Sequence, residues 1–231
     1  CALIAALLAY EWVRMTNSPL MRQLTFLAII PAVVAGFFGA LIGAGALVVC
    51  TMLAWAAHPL LAERARSAFG LFYTAGMPLA MYSLRENALW DGMPAALLLM
   101  AIVWASDTGA FFVGRTFGGP PLASVSPSKT WSGAVGGVGF SILVGVMATH
   151  FVDGNVVAWA VAGAVISIAA QLGDLFESVL KRRLGVKDAS DLLPGHGGVM
   201  DRVDGLGVAA TVGVAILLIF APVIPLLGLA P

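Results

Sequence analysis

Between Asp174 and Asp204 the chain concentrates eleven of its charged residues, which number 12 Lys and Arg and 12 Asp and Glu in all. This charged segment follows an apolar run in a protein that is 60% hydrophobic and only 10% charged. Acids, bases and a Pro-Gly-His-Gly-Gly turn alternate in it, and a lipid-facing surface would not tolerate that mixture. Acids that bind cations beside bases that bind anions indicate phosphate and metal chemistry at a membrane surface.

The polar residues before the turn share one face of a predicted helix. Asp174, Glu177, Ser178 and Lys181 are spaced i, i+3, i+4 and i+7, which aligns them along one side. A carboxylate at membrane depth is costly and therefore marks an ion or substrate path. For Glu177, an ion pair with Lys181 that only orders the helix end remains an alternative.

Two more acids, Asp201 and Asp204, follow the turn at a spacing of i, i+3. Favourable interaction with a helix dipole would explain one of them without any function. However, they and Asp174 lie on adjacent predicted spans joined by one loop, so we expect all three to converge. Hard oxygen ligands completed by phosphates are what Mg²⁺ prefers, and the sequence therefore predicts a magnesium site.

The loop between these spans supplies the opposite charge. Its candidate phosphate contacts are Lys181, Arg182, Lys187 and Arg202, and the backbone N–H groups around Gly197 and Gly198 could form an anion-binding nest. Part of this positive charge is also explained by anchoring at the cytoplasmic face. For His196, an ordinary loop histidine and a catalytic one are both open.

A second polar loop, Ser126–Gly133, precedes the sixth predicted span. Ser126, Lys129 and Thr130 before a helix N-terminus fit a phosphate cradle, although Ser-Pro and Thr are also ordinary helix start signals. Upstream, Asp107 falls inside the fifth predicted span, where an acid needs a partner. Lys129 or a metal ion could provide it.

The helices that must position these residues are read from hydropathy. A mean hydropathy of +0.98 excludes an ordinary soluble domain, and a span needs about 20 apolar residues. The sequence predicts an all-α, polytopic integral membrane bundle with about eight transmembrane helices, the run of 24–57 being cut in two within Gly36–Gly45. The windows are 1–13, 24–40, 41–57, 67–84, 94–114, 131–150, 156–180 and 206–228.

The distribution of positive charge tests this segmentation. With the first connection cytoplasmic, one side holds every Lys and Arg except Arg85, as the positive-inside rule requires. We therefore expect an N-terminal transmembrane region, 1–93, and a catalytic region, 94–231, with cytoplasmic loops 115–130 and 181–204. The chain begins on Cys1 inside an apolar segment, which suggests N-terminal truncation. A formal net charge of zero predicts no nucleic-acid surface.

At these residues the chain resembles the phosphatidate cytidylyltransferases, also called CDP-diacylglycerol synthases. Asp107 with the Gly114–Gly118 segment, and Ser126–Trp131, resemble the middle region of that family; Glu11-Trp12 is a faint similarity near the start. Many members have Lys and Glu where this chain has Ser128 and Ser132. The residues that match the family signature are Ser178, Lys181, Arg182, Lys187, Asp188, Ser190, Pro194, His196, Gly197, Gly198, Asp201, Arg202 and Asp204.

The resemblance implies transfer of a cytidylyl group from CTP to phosphatidic acid with Mg²⁺, a second cation and a homodimer being possible. It also implies an integral protein of the bacterial inner membrane or an equivalent, with its site facing the cytoplasm. Its implied roles are as follows: metal ligands Asp174, Asp201 and Asp204; catalytic groups Ser178, Lys181, His196 and Asp204; substrate contacts Ser126, Lys129, Thr130, Arg182, Lys187, Asp188, Gly197, Gly198 and Arg202; further candidates Asp107 and Glu177.

Two other functions are open. A CTP-dependent polyprenol or lipid kinase would use similar phosphate contacts but transfer the γ-phosphoryl group. A cation-coupled transporter would explain Asp107, Asp174 and Glu177 as a translocation path. It would not explain why the bases, the turn and the Asp201/Asp204 pair gather at one membrane face.

Overall fold

The computed structural model describes residues 1–17, 25–57, 60–86, 93–124, 126–151, 155–195 and 197–220. Of these described residues, 81% are helical, which confirms the predicted all-α class. Within the described ranges, a short 3₁₀ turn at Thr25–Ala28 and eight α-helices follow one another. The helices are α1 (Ala2–Thr16), α2 (Ile30–Phe38), α3 (Ala40–Ala56), α4 (Leu61–Glu86), α5 (Met93–Phe117), α6 (Trp131–Ala148), α7 (Val156–Arg183) and α8 (Met200–Phe220).

These helices correspond in order to the eight predicted windows. The long apolar run is cut at Gly39, whose φ of 90° ends α2 and begins α3. A residue with a Cβ rarely adopts this conformation, so glycine at the reversal has a direct backbone reason. Helix α8 begins before the predicted 206 and therefore includes Asp201 and Asp204.

Three of the described helical segments are long and apolar enough to cross a membrane: Ala95–Phe117, Trp131–Ala148 and Val156–Arg183. Large apolar side chains such as Trp104, Phe111 and Leu143 are exposed on them, as expected of surfaces that contact lipid. Membrane association is therefore supported by length and composition. The predicted number of about eight spans stays a prediction.

The loop before α6 contains an antiparallel hairpin that the sequence analysis did not predict. Strand β1 (Pro121–Ala123) pairs with β2 (Ser126–Thr130). Ser126–Thr130 includes a proline and lacks the alternation of polar and apolar residues by which a strand is recognised. The hairpin places Lys129 and Thr130 on a paired strand rather than on an irregular loop.

The chain divides into two compact units. The first consists of Cys1–Glu86 and Leu180–Val203. In it, α1 packs closely on α4, because a Cβ at Gly70 would overlap the Trp12 indole. Phe69 and Tyr73 surround the same indole, with ring centroids 5.5 and 6.0 Å from it. This aromatic cluster fixes the register of α1, which carries Glu11 one residue before Trp12.

The second unit consists of the described residues within Asn87–Val179 and Asp204–Pro231. Glycines bring its helices together: a Cβ at Gly133 or Gly137 would lie 2.8 Å from a carbonyl oxygen of α5. A Cβ at Gly163 on α7 would lie 2.5 Å from the Ser141 oxygen on α6. The GxxxG spacing of Gly133 and Gly137 therefore serves close packing within the chain, as small residues do in membrane bundles.

Candidate active site

In the first unit, the carboxylate of Asp201 links three parts of the charged segment. Its Oδ1 lies 2.5 Å from the Lys181 Nζ, at the end of α7. Its Oδ2 accepts hydrogen bonds from the backbone N–H groups of Gly198 (2.8 Å) and Ala189 (3.0 Å). Asp201 belongs to the first turn of α8, where a negative charge is also favoured by the helix dipole.

These contacts decide the charge of Asp201. Burial alone disfavours the ionised form, but the Lys181 ammonium and the two amides outweigh it and hold the pKa of the Asp201 carboxyl below its usual value. The side chains of Lys181 and Asp201 are only 13% and 9% exposed. At neutral pH this acid is therefore ionised. Because the pair is largely buried, solvent weakens the attraction between its two charges less than it would at the surface.

A second carboxylate, Glu11 of α1, holds the same loop and was missing from the predicted site. It is fully buried, and it accepts hydrogen bonds from the Val199 N–H (2.8 Å), the Met200 N–H (2.6 Å) and the Ser190 hydroxyl (2.5 Å). The available signal was an acid within an apolar helix, because such a group requires partners. Sequence alone did not say that they lay about 180 residues away.

The loop between these anchors lines an open cavity of about 360 Å³. Its wall carries two bases, two acids and glycine backbone, and the bases Lys187 and Arg202 are exposed side chains. Such a lining suits a phosphorylated ligand. The lining residues are Lys187, Asp188, Asp191, Leu193, Gly195, Gly197 and Arg202.

The second unit holds another charged group. Lys129 on β2 forms an ion pair with Asp174 on α7, and both side chains are roughly one-third exposed (31% and 39%). Asp107 on α5 interacts electrostatically with both, and its side chain is exposed rather than buried. From the sequence, Lys129 was considered as a partner for Asp107. In the structure Lys129 forms its ion pair with Asp174 and also interacts electrostatically with Asp107.

Thr130 sits at the N-terminus of α6 and caps it. Its Oγ1 accepts a hydrogen bond from the Gly133 N–H at 3.1 Å and lies 3.0 Å from the Ser132 hydroxyl. Ser132 donates in turn to the carbonyl oxygen of Gly118. This arrangement supports the reading of Thr130 as a helix start signal, while its predicted contact with substrate stays a prediction.

A buried polar network lies one turn before Asp174. The hydroxyls of Ser106 and Ser167 are 2.7 Å apart and both residues are fully buried. The Gln171 amide donates to the Ser167 hydroxyl and to the Ala134 carbonyl oxygen, each at 3.2 Å. The network joins α5, α6 and α7 and so fixes the helices that carry Asp107 and Asp174.

The predicted residues are distributed between the units. Asp201 belongs to the first unit and Asp174 and Asp204 to the second, so their convergence stays a prediction. Within the part of the chain that the structure describes, no three Asp, Glu, His or Cys side chains form a metal-holding group by themselves. The donor chemistry of Asp174 and Asp107 still fits Mg²⁺, which takes one or two carboxylates and completes its shell with phosphates and water.

The remaining predicted residues are placed as follows. Glu177 is fully buried and Ser178 is partly buried, both on α7. The Asp204 carboxylate accepts a hydrogen bond from the Gly205 N–H at 2.7 Å. Arg182 lies in the last turn of α7 as an exposed side chain. His196 lies outside the described residues.

Comparison with known proteins covers nearly the whole chain. Residues 1–220 match the model of the Cytidylyltransferase family. A phosphatidate cytidylyltransferase of Brucella suis is 45% identical over 146 residues, 62% of this chain and 53% of that protein. Those of Haemophilus influenzae and Synechocystis are 36% and 34% identical, over 67% and 69% of this chain and 56% and 64% of their own lengths. The chain thus spans little more than half the length of the curated relatives it matches.

Proposed function

The chain belongs to the cytidylyltransferase family, and on that premise we propose that it transfers the cytidylyl group of CTP to phosphatidic acid. An oxygen of the lipid phosphate bonds to the α-phosphorus of CTP, and the bond from that phosphorus to the bridging oxygen of the β-phosphate breaks. CDP-diacylglycerol and pyrophosphate are the products. The named relatives, phosphatidate cytidylyltransferases of three bacteria, support this choice of reaction.

The observation that carries the proposal is the cavity beside the Lys181–Asp201 pair. Its two exposed bases, Lys187 and Arg202, suit the triphosphate of CTP, whereas the Gly198 N–H already donates to Asp201. Both substrates are anions, so their reaction needs charge neutralisation and in-line positioning more than a strong base. We assign Lys181, Arg182, Lys187 and Arg202 to the phosphates, with the Gly197 and Gly198 backbone beside them.

The Lys129–Asp174 pair of the second unit is assigned to the same reaction. Asp174, with Asp107 nearby, would hold Mg²⁺, and substrate phosphates would complete the shell of the ion. Lys129 would contact a phosphate after its ion pair with Asp174 breaks. A bound Mg²⁺ supplies neutralisation of phosphate charge. Ligation by Asp201 would require exchange of its contacts with Lys181 and the two amides.

We further propose that the chain crosses the membrane about eight times, with these residues at the cytoplasmic face. The supporting observation is the placement of every Lys and Arg except Arg85 on one predicted side. Soluble CTP would then reach the bases directly, while the lipid head group enters sideways from the bilayer. A bacterial inner membrane fits the three named relatives.

The test is a single incubation of the purified protein with CTP, dioleoyl phosphatidic acid and MgCl₂ in detergent micelles. We expect CDP-diacylglycerol and pyrophosphate in equal amounts, and neither product without the lipid or after chelation by EDTA. In a parallel incubation with a polyprenol or diacylglycerol in place of phosphatidic acid, CDP with a phosphorylated lipid would instead identify a CTP-dependent kinase. Cation-driven solute uptake into proteoliposomes, without turnover of CTP, would identify a transporter; either outcome overturns the proposal.

A further inference from the structure

Glu11 connects α1 to the charged segment through three hydrogen bonds, although it is about 180 residues away in sequence. Its side chain is fully buried and so cannot touch a soluble substrate. All three donors belong to the loop and the first residue of α8: the N–H groups of Val199 and Met200 and the hydroxyl of Ser190. The Gly198 backbone packs directly on the same carboxylate, since a Cβ there would lie 2.6 Å from Oε1.

Glu11 and Asp201 divide the polar groups of this turn between them. Asp201 takes the N–H groups of Ala189 and Gly198, and Glu11 takes the next two N–H groups along the chain. Gly198, Val199 and Met200 stand at the beginning of α8, where backbone N–H groups have no acceptor within the helix, and Gly198 and Met200 are buried. The two carboxylates therefore tie both ends of the 189–200 loop to fixed helices.

We infer that Glu11 is a positioning residue. It holds the loop of the cavity in one conformation, in which Lys187 and Arg202 can contact the phosphates of a nucleoside triphosphate. The inference rests on the proposed function for the identity of the ligand. Without Glu11 the loop would have to be ordered when the ligand binds. Ordering even one residue costs about 1–2 kcal/mol, which corresponds to about tenfold in apparent affinity.

Glu11→Gln is the most informative variant. The amide keeps the size of the side chain, but its NH₂ group faces N–H donors instead of accepting from them, so at least one donor loses its partner. Ser190→Ala removes only one of the three hydrogen bonds and should have a smaller effect in the same direction. Glu86→Gln is the matched control, because Glu86 ends α4 with a half-exposed side chain.

Two measurements on the full chain in detergent separate positioning from general stability. Hydrogen–deuterium exchange in Glu11→Gln should accelerate about tenfold at 189–200 and remain unchanged in α4. The KM for CTP should rise about tenfold while the KM for phosphatidic acid stays as in the wild type. Ser190→Ala should show both changes weakly and Glu86→Gln neither.

The inference is overturned if exchange at 189–200 is unchanged in Glu11→Gln. It is equally overturned if exchange rises throughout the first unit and kcat falls with the KM for CTP constant, because that pattern reports loss of folded enzyme. If Glu11→Gln does not fold, Ser190→Ala must still show the local acceleration. A wild-type protein that makes no CDP-diacylglycerol refutes the proposed function alone, since the exchange experiment tests the role of Glu11 without turnover.

Discussion

The Lys181 ammonium lies 2.5 Å from the Asp201 carboxylate, so a base and an acid of the proposed site neutralise each other at the junction of α7, the loop and α8. The pair is largely buried, and Asp201 also accepts hydrogen bonds from the Ala189 and Gly198 backbone. A substrate phosphate that bound Lys181 in place of Asp201 would leave the negative charge of Asp201 no longer neutralised by Lys181. That acid would then be able to bind a cation.

Asp201→Asn should abolish CTP-dependent formation of CDP-diacylglycerol while the protein remains folded. The substitution removes the charge that faces Lys181, and the new NH₂ group must face either the Lys181 ammonium or the Ala189 and Gly198 amides, so at least one of these donors loses its acceptor. Breaking a buried pair costs up to about 3–5 kcal/mol, so the melting temperature should also fall. Product formation and thermal unfolding in detergent measure the two effects, with Glu86→Gln as control. Full activity in Asp201→Asn at ordinary Mg²⁺ would refute its role.

The stability that Asp201 contributes should depend on acid pH. Because its folded pKa is below the usual Asp value, the contribution is fully present above the unfolded pKa of about 4 and is lost as pH falls through the folded pKa. The difference in melting temperature between wild type and Asp201→Asn should therefore be constant near neutrality and shrink below about pH 4. A difference that instead grows with acidification contradicts the ion-pair account.

Hydropathy was sufficient to predict the eight described helices, because an apolar run and the glycines that interrupt it can both be read directly from a short stretch of sequence. The reversal at Gly39 is an example. The hairpin could not be predicted in this way, since Ser126–Thr130 pairs through its backbone and its side chains carry no strand pattern. Its consequence for function is that Lys129 reaches Asp174 from a strand.

The site residues were predicted by type and spacing, but their partners were not. A search along the sequence for a cation near Asp174 gives Lys181, seven residues on, whereas the structure pairs Asp174 with Lys129. Glu11 is a stronger example, because two of its partners are backbone N–H groups. Every residue except proline has such a group, so the sequence does not indicate which ones Glu11 will bind. Long-range pairing of polar groups depends on how helices pack, which periodicity does not specify.

The Lys129–Asp174 pair should matter far more for activity than for stability. Both side chains are about one-third exposed, and such pairs are worth only about 0.2–1 kcal/mol. Asp174→Asn and Lys129→Gln should each reduce CDP-diacylglycerol formation about 100-fold or more, which is the range for loss of one transition-state contact. The swapped double variant Lys129→Asp/Asp174→Lys should recover the melting temperature without recovering activity. Recovery of activity would mean that the pair is only structural.

The Ser106–Ser167–Gln171 network should stabilise the second unit. Gln171→Ala removes the donor that joins α7 to the Ala134 carbonyl on α6, and hydrogen bonds between membrane helices contribute about 0.6–2 kcal/mol each. We expect a lower melting temperature and a smaller, secondary loss of activity. Ser83→Ala is the matched control, since its hydroxyl bonds only within α4, to the Leu79 carbonyl. Equal melting temperatures for the Gln171→Ala and Ser83→Ala variants would refute a role between helices.

The same substitution, glycine to alanine, should have opposite consequences at two positions. A Cβ at Gly198 would lie 2.6 Å from the Glu11 Oε1, closer than real contacts allow, so Gly198→Ala must displace the carboxylate that holds the loop. A Cβ at Gly139 on α6 meets no atom within 4 Å, and alanine is favoured over glycine in a helix by about 1 kcal/mol. Gly198→Ala should therefore raise the KM for CTP and lower the melting temperature, whereas Gly139→Ala should preserve activity and leave the melting temperature equal or higher. Steady-state kinetics and thermal unfolding decide this, and a Gly198→Ala enzyme that matches the wild type would show that the loop does not need the close contact with Glu11.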